Sequence, residues 1–419
     1  MDKVIFHIDV NSAFLSWTAA YRIKVLGETL DLREIPSAVA GDRENRQGVI
    51  LAKSQPAKKY GVKTGEPIFK AQQKCPELTI VPPDYALYVE ASRHFTALLR
   101  QFAPIVEQYS IDEAWADMTG TEGLYGSPVA AAEMLRQRIY DELGFTVNIG
   151  ISTNKLLAKM AGDFEKPNKV HTLYPWEMEK KLWPLPVRDL FMIGPATEKK
   201  LHLLGIETIG QLAHADPEVI RKKLYKPGID LWNSANGRYS DTLLPIPEDN
   251  KGYGNATTLP ADVTNAAEAY RVLLSLCETV GTRMRRDKKS ARCIAVSLRT
   301  KDFVNFSHQA TLPNATDSTE EMFRHACRIF DEAWDGETPL RQLGVHATRL
   351  EERGVRQYDL FSVISAEDYA RKAKLDNTVD DLREKYGEGI LRRARFVGSE
   401  VVLAGGLSKE RRTGITKPV

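Results

Sequence analysis

The sequence predicts a multidomain α+β protein, and three observations carry that reading. A chain of 419 residues exceeds what one compact core holds, so two to four domains are expected. The first 165 or so residues read as strand, helix, strand, strand, helix, strand, the order of a ferredoxin-like sheet. A polar, proline-containing stretch at 241–252 then separates them, with a helical region at 170–240, from a second α+β region.

Taken in order, Val4-Ile5-Phe6-His7-Ile8-Asp9 is an apolar run expected as a buried strand that ends at Asp9. Asn11 or Ser12 is placed to cap the following helix, whose first apolar positions are Phe14, Leu15 and Trp17. The N–H groups at that helix start could receive a phosphate, or the joint is an ordinary strand-to-helix connection. Residues 33–75 are short, polar and glycine-punctuated, with a strand at Gly48–Ala52 and Lys53, Lys58, Lys59 and Lys63 around it; they suit a small subdomain. A helix at 85–102, two short strands within 104–118, a helix at 128–142 and a strand at 145–151 complete the first region. In 170–240, Ile193-Gly194-Pro195 and Leu204-Gly205-Ile206 bracket a helix. That spacing suits a Gly-Pro turn between packed helices, or a helix-hairpin-helix that offers backbone N–H groups to DNA phosphates. Beyond the linker, strands at 292–299, 306–312 and 342–350 alternate with helices at 264–286 and 318–333, and 366–395 reads as an amphipathic helix.

The chemistry concentrates in carboxylates. Asp9 ends the first strand, and Asp112-Glu113 follow the run Tyr109-Ser110-Ile111. Hard divalent cations take oxygen ligands, so acids at strand ends suit a metal-dependent phosphoryl-transfer site, although single Asp residues at strand ends and Asp-Glu pairs on solvated turns are common. Neighbouring residues on an ideal strand point to opposite faces, so Asp112 and Glu113 serve one site only if a turn or twist falls there. His7, on the same strand as Asp9, is expected to face away from it as a packed core histidine. No run approaches the ~18 apolar residues of a membrane span, and the N-terminus carries no signal pattern, so the chain is expected in the cytoplasm. Cys75, Cys277, Cys293 and Cys327 are scattered without Cys-x-x-Cys spacing, which argues against a zinc site or a disulfide framework. Net charge is only +2, but between Arg283 and Lys301 eight basic residues stand against the single acid Asp287. Such a run suits either a DNA-phosphate contact or a solvated helix end.

Two long motifs decide between these alternatives. Tyr109-Ser110-Ile111-Asp112-Glu113-Ala114, and Gly150-Ile151-Ser152-Thr153-Asn154-Lys155-Leu156-Leu157-Ala158-Lys159-Met160-Ala161 followed by Lys166-Pro167-Asn168, resemble the signatures of Y-family translesion DNA polymerases, in the family's order. The resemblance runs over roughly residues 1–350 and is greatest to the branch of bacterial polymerase IV and the polymerase V catalytic subunit. It implies a palm at 1–10 and 76–165, fingers at 11–75, a helical thumb with a helix-hairpin-helix at 166–240, a linker at 241–252, a little finger at 253–350 and a tail at 351–419. It also implies low-fidelity, template-directed DNA synthesis across damaged template from dNTPs.

By the same resemblance, Asp9, Asp112 and Glu113, with the Val10 carbonyl, hold two Mg²⁺ ions. Phe14 is the steric gate that favours deoxyribose, and Lys58 and Lys159 meet the triphosphate. Gly194, Gly205, Arg292, Arg299 and Lys301 hold DNA. Gln357, Leu360 and Phe361, in Gln-x-x-Leu-Phe, insert into the sliding clamp. One segment departs from the family's pattern: Gln55 stands where the family has Tyr, and Lys58 where it has Arg. Lysine neutralises a phosphate but cannot bond it bidentately. A monomer is expected. Two other classes remain possible on the residues alone. A clamp-recruited, non-catalytic DNA-binding protein would need no metal carboxylates, and a nucleotide cyclase would need no grip on DNA.

Overall fold

In a computed structural model of the protein, the described residues are 3–42, 46, 48–245, 249–353, 366–387 and 389–396. They divide into two compact units, one holding the described residues of 3–40 and 50–245 and the other those of 41–49 and 249–396.

The first unit begins with β1 (Ile5–Val10) and α1 (Ala13–Lys24), followed by the short elements β2 (Ser37–Ala40), β3 (Ile50–Lys53), α2 (Gln55–Lys59), α3 (Ile68–Lys74) and β4 (Thr79–Val81). Then come α4 (Tyr85–Phe102), β5 (Ile105–Gln108), β6 (Glu113–Asp117), α5 (Glu122–Tyr125), α6 (Pro128–Leu143), β7 (Val147–Ser152), α7 (Lys155–Gly162) and β8 (Val170–Thr172). The unit closes with α8 (Met178–Lys181), α9 (Pro195–His202), α10 (Ile209–His214) and α11 (Pro217–Ala235). The five-stranded sheet runs β5-β6-β1-β7-β8, and the small sheet runs β3-β2-β4. β1 lies between two antiparallel partners, with Asp9 opposite Glu113 of β6 on one side and Asn148 of β7 on the other.

This central position explains why β1 is apolar on both faces. Phe6, Ile8 and Val10 enter the core with Leu99, Leu135 and Ile139, whereas Ile5 packs with Trp115 and Ala158. The second face receives α7 at unusually close range. A Cβ added to Gly150 would lie 1.9 Å from the Ala158 carbonyl oxygen and 2.4 Å from the Gly162 nitrogen. Both obstacles are backbone and cannot swing aside. Gly150→Ala is therefore expected to cost at least about 3 kcal/mol, read as a lower denaturant midpoint with α7 displaced from the sheet.

The expected cap of α1 is not formed as the sequence suggested. Ser12 occupies the N-cap position in the left-handed region (φ 49°, ψ 48°) and makes no side-chain cap bond. Asn11 spends its side chain elsewhere, donating to Asn148 Oδ1 at 3.1 Å and accepting the Asn168 backbone N–H at 2.9 Å. Tertiary partners thus outcompete the local cap.

The second unit contains β9 (Gly252–Val263), α12 (Ala266–Arg286), β10 (Lys289–Thr300), β11 (Asn305–Thr316), α13 (Thr319–Ala333), β12 (Leu340–Glu352) and α14 (Ala366–Tyr386). Its antiparallel sheet runs β11-β10-β12-β9, and α12 and α13 bury Leu273, Leu276, Val280, Met322 and Phe330 against Ile294, Val296 and Val345. The tail helix was expected to be amphipathic over 366–395. Instead it ends at Tyr386, and its buried positions include Asp376 and Arg383. It docks by ion pairs: Arg285 of α12 lies 2.6 Å from Asp380 and 3.6 Å from Asp376, and Arg383 lies 3.4 Å from Glu278. Among the described residues, no helix is long and apolar enough to cross a membrane.

Candidate active site

The turn that would let Asp112 and Glu113 share a site is present. Asp112 lies in the tight connection before β6, and Glu113 is the first residue of that strand. Ser110 fixes the turn. Its hydroxyl donates to Asp112 Oδ1 at 2.6 Å and accepts the Glu113 N–H at 3.0 Å, while the Val10 N–H reaches the Asp112 carbonyl at 3.0 Å. The β1–β6 register then sets Glu113 across from Asp9.

Electrostatics separate the three acids. Burial raises the Asp9 pKa above its ordinary value despite the opposing pull of Lys166. Burial likewise raises Asp112, with the charges of Asp9 and Glu113 adding to it. Glu113 is also penalised by burial, but bonds from His7 and Lys159 outweigh that and bring its pKa down to about 2. Lys159 Nζ sits 2.5 Å from Glu113 Oε2, and His7 Nε2 lies 3.2 Å from the same oxygen. The expectation for His7 was therefore wrong in direction. Residues 7 and 9 are two apart on a strand and share a face, and His7, buried beside Trp115, reaches the site's glutamate.

Basic groups gather near Asp9. A polar cavity of about 170 Å³ is lined by Asp9, Val10, Asn11, Ser12, Lys53, Ser54, Gln55, Lys58 and Lys166. Lys166 is ion-paired with Asp9 and also lies 2.8 Å from Asp163. Asp9, Val10 and Lys58 thus line one cavity, whereas Asp112 and Glu113 are not among its lining residues. Lys159 is not among the lining residues: it is buried, bound to Glu113, with its ammonium over the rings of Tyr109 and Phe191. Lys166 lines the cavity instead. The signal for Lys166 was already in the Lys166-Pro167-Asn168 motif, which received no role from the sequence. Phe14 is not among the lining residues; it lies in the first turn of α1, with its ring stacked on Tyr88 at 4.3 Å.

Among the described residues, no three His, Cys, Asp or Glu side chains already converge on one point. Asp9 is turned to Lys166, and Glu113 to Lys159 and His7. The donor chemistry nonetheless suits a hard divalent cation. Asp9 and Asp112 offer carboxylate oxygens whose ionised forms are disfavoured by burial and by neighbouring acid charge, Glu113 on Asp9 and both Asp9 and Glu113 on Asp112, and added positive charge relieves that cost.

Comparison with known proteins assigns this arrangement. The impB/mucB/samB family matches residues 8–163, its C-terminal domain matches 250–360, and its helix-hairpin-helix motif matches 177–206. The chain belongs to this family, the Y-family DNA polymerases. It is 43% identical to DNA polymerase IV of Clostridium acetobutylicum over 96% of this chain and all of that one. Against DNA polymerase IV of Moorella thermoacetica, identity is 38% over 97% of this chain and 99% of that protein. A solved Y-family polymerase chimera superposes with a TM-score of 0.71 over 83% of this chain and 98% of its own, at 23% identity. The protein is accordingly a DNA-directed DNA polymerase of low fidelity that acts in translesion synthesis, binds primer-template DNA and dNTPs, and depends on divalent metal. This removes both the non-catalytic scaffold and the cyclase.

The residues read as DNA contacts are placed as follows. Gly194 caps α9, and Gly205 follows it with φ +73°, a conformation that favours glycine. Arg292 and Arg299 lie on β10, but Lys301 falls just beyond it in the turn to β11, not on a strand. Arg292 is shared with Glu351 at 3.5 Å, and Arg299 donates to Asn305 at 2.6 Å. The basic run from Arg283 to Lys301 is not one surface: Arg285 is buried in its ion pairs with α14, and Lys289 is held by Asp249 and Glu352. Gln357, Leu360 and Phe361 lie outside the described residues.

Proposed function

We propose that the polymerase reaction runs at the cavity between β1 and α2, which Asp9 lines together with Lys53, Lys58 and Lys166. That meeting of a carboxylate with three ammonium groups in one polar cavity is the observation that carries the reading, because a dNTP with its metals presents both phosphate oxygens and cations. Asp9 and Asp112, with the Val10 carbonyl, would hold two Mg²⁺ ions, and Glu113 would serve the ion nearer the primer 3′-hydroxyl. When bound, such ions lower the hydroxyl's pKa and offset charge on the α-phosphate and the leaving pyrophosphate.

The protein's own groups do the rest. Lys58 and Lys166 meet the triphosphate, and Lys159 with His7 fixes the glutamate's orientation. Phe14 bounds the sugar. Gly194 and Gly205 present backbone N–H groups to phosphates of the duplex, and Arg292, Arg299 and Lys301 add charge from the second unit, giving salt-dependent grip with little sequence preference. The proposed divisions are palm 1–10 and 76–165, fingers 11–75, thumb 166–240 and little finger 253–350. In this reading the enzyme works as a cytoplasmic monomer recruited to the sliding clamp through Gln357-Phe361.

The test is extension of a labelled primer with dNTPs and Mg²⁺, on undamaged template and on one with an abasic site. Extension on both is expected, with more misinsertion than a replicative enzyme shows. A chain that binds primer-template yet adds no nucleotide under either condition would contradict the placement of the site.

A further inference from the structure

The exchange of the family's Tyr and Arg for Gln55 and Lys58 leaves the nucleotide pocket without a bidentate phosphate ligand and without an aromatic hydroxyl. We propose that Lys53 is a third triphosphate-binding lysine, which with Lys58 and Lys166 replaces that lost grip by charge. The inference rests on the nucleotide site proposed above and adds to it a ligand that neither of the two sequence motifs contains.

Four observations support it. Lys53 lines the same cavity as Lys58, Lys166 and Asp9. It is the last residue of β3, and strand alternation places it on the face of Leu51, opposite the buried Ile50 and Ala52. Ser54 brings no charge to the cavity, and its hydroxyl is held in place by the backbone N–H groups of Ser37 and Ala57, both at 3.1 Å. Finally, among the described residues the ammonium of Lys53 is given no ion pair. Its hydrogen-bond partner is the neutral Thr64 hydroxyl at 3.2 Å, and Glu66, whose charge acts on it, is itself gripped by Lys74 at 2.5 Å.

Burial, and then the charge of Lys58, push the Lys53 ammonium below its ordinary pKa. Two like charges beside one cavity, partly withdrawn from water, are unfavourable until an anion arrives between them. A triphosphate supplies that anion, and its several oxygens can engage three separate ammonium groups where one guanidinium fork is missing. A grip made of point charges is also more sensitive to salt than a bidentate one.

The experiment compares wild type with Lys53→Met, which keeps most of the aliphatic stem, Lys53→Arg, which keeps the charge, and Lys166→Ala. Steady-state primer extension gives KM and kcat for the correct dNTP. Titration of the same dNTP onto enzyme held on a dideoxy-terminated primer-template gives its affinity without turnover. Lys53→Met is expected to raise KM and weaken dNTP affinity roughly tenfold or more, with the smaller part of the loss in kcat. Lys53→Arg should restore most of it, and the rise of KM with ionic strength should be shallower in Lys53→Met than in wild type. Unchanged dNTP affinity in a folded Lys53→Met overturns the inference. If Lys166→Ala still weakens binding in that case, the nucleotide site stands and only Lys53 is removed from it. If Lys166→Ala is silent as well, the site itself is misplaced.

Discussion

Asp112→Ala is expected to lower the single-turnover rate of nucleotide addition by roughly 10³-fold or more, leaving primer-template affinity nearly unchanged. The acid lies on a turn, and its recorded side-chain bond is to the Ser110 hydroxyl at 2.6 Å, so its removal takes little from the fold. Its burial beside Asp9 and Glu113 is costly for an ionised carboxylate, which is the signature of a group kept for charge chemistry rather than for packing. Metal-held charge stabilisation contributes several kcal/mol to such transition states, and each ~1.4 kcal/mol is a factor of ten in rate. Asp112→Asn keeps the shape and the turn but not the charge, and should fail almost as badly. The check is rapid-quench primer extension beside a DNA-binding titration and a thermal melt. A rate within tenfold of wild type, with the melt unchanged, would remove Asp112 from the metal site.

How far the site was legible depends on what kind of order each feature has. Asp9 was readable as the end of a strand-like run and Asp112 and Glu113 from a long motif, and the strand order foretold a ferredoxin-like sheet that brings β1 beside β6. Side-chain traffic was less readable. Asn11 and Ser12 look like caps by local rule, yet Asn11 is drawn off by Asn148 and Asn168, more than 130 positions away in sequence. His7 was misjudged by a slip in period: residues two apart share a face of a strand. Lys159 and Lys155 look equivalent on one helix face, but the packing of α7 sends Lys159 to Glu113 and Lys155 to Glu107 at 2.6 Å. The basic run from Arg283 reads as surface because charge density in sequence says nothing of a later helix. It is α14, arriving some 90 residues on, that buries Arg285.

Phe14→Ala is expected to raise the ratio of ribonucleotide to deoxynucleotide incorporation by roughly 10- to 100-fold, chiefly through better use of the ribonucleotide. Position alone would leave Phe14 as an ordinary apolar residue of α1; what its surroundings add is that the proposed gate is rigidly backed. Its ring is stacked on Tyr88 at 4.3 Å with planes 7° apart, Tyr85 stands edge-on at 6.0 Å, and Trp17 is tilted against it at 6.1 Å. Tyr88 is tied in turn to the Thr18 hydroxyl at 3.2 Å, and Thr18 donates to the Phe14 carbonyl at 2.7 Å. A ring backed this way cannot yield to one extra oxygen on the sugar. Forcing added atoms into a packed site costs about 1–3 kcal/mol, which is about 5- to 150-fold in rate. Alanine removes the wall, while Phe14→Leu should fall between the two because it restores bulk without the flat backing. The measurement is the kcat/KM for each sugar with one base, beside a melt to register the loss of aromatic packing. If the ratio holds in Phe14→Ala while stability falls, the ring serves the core of α1 and α4, and sugar selection lies elsewhere in the pocket.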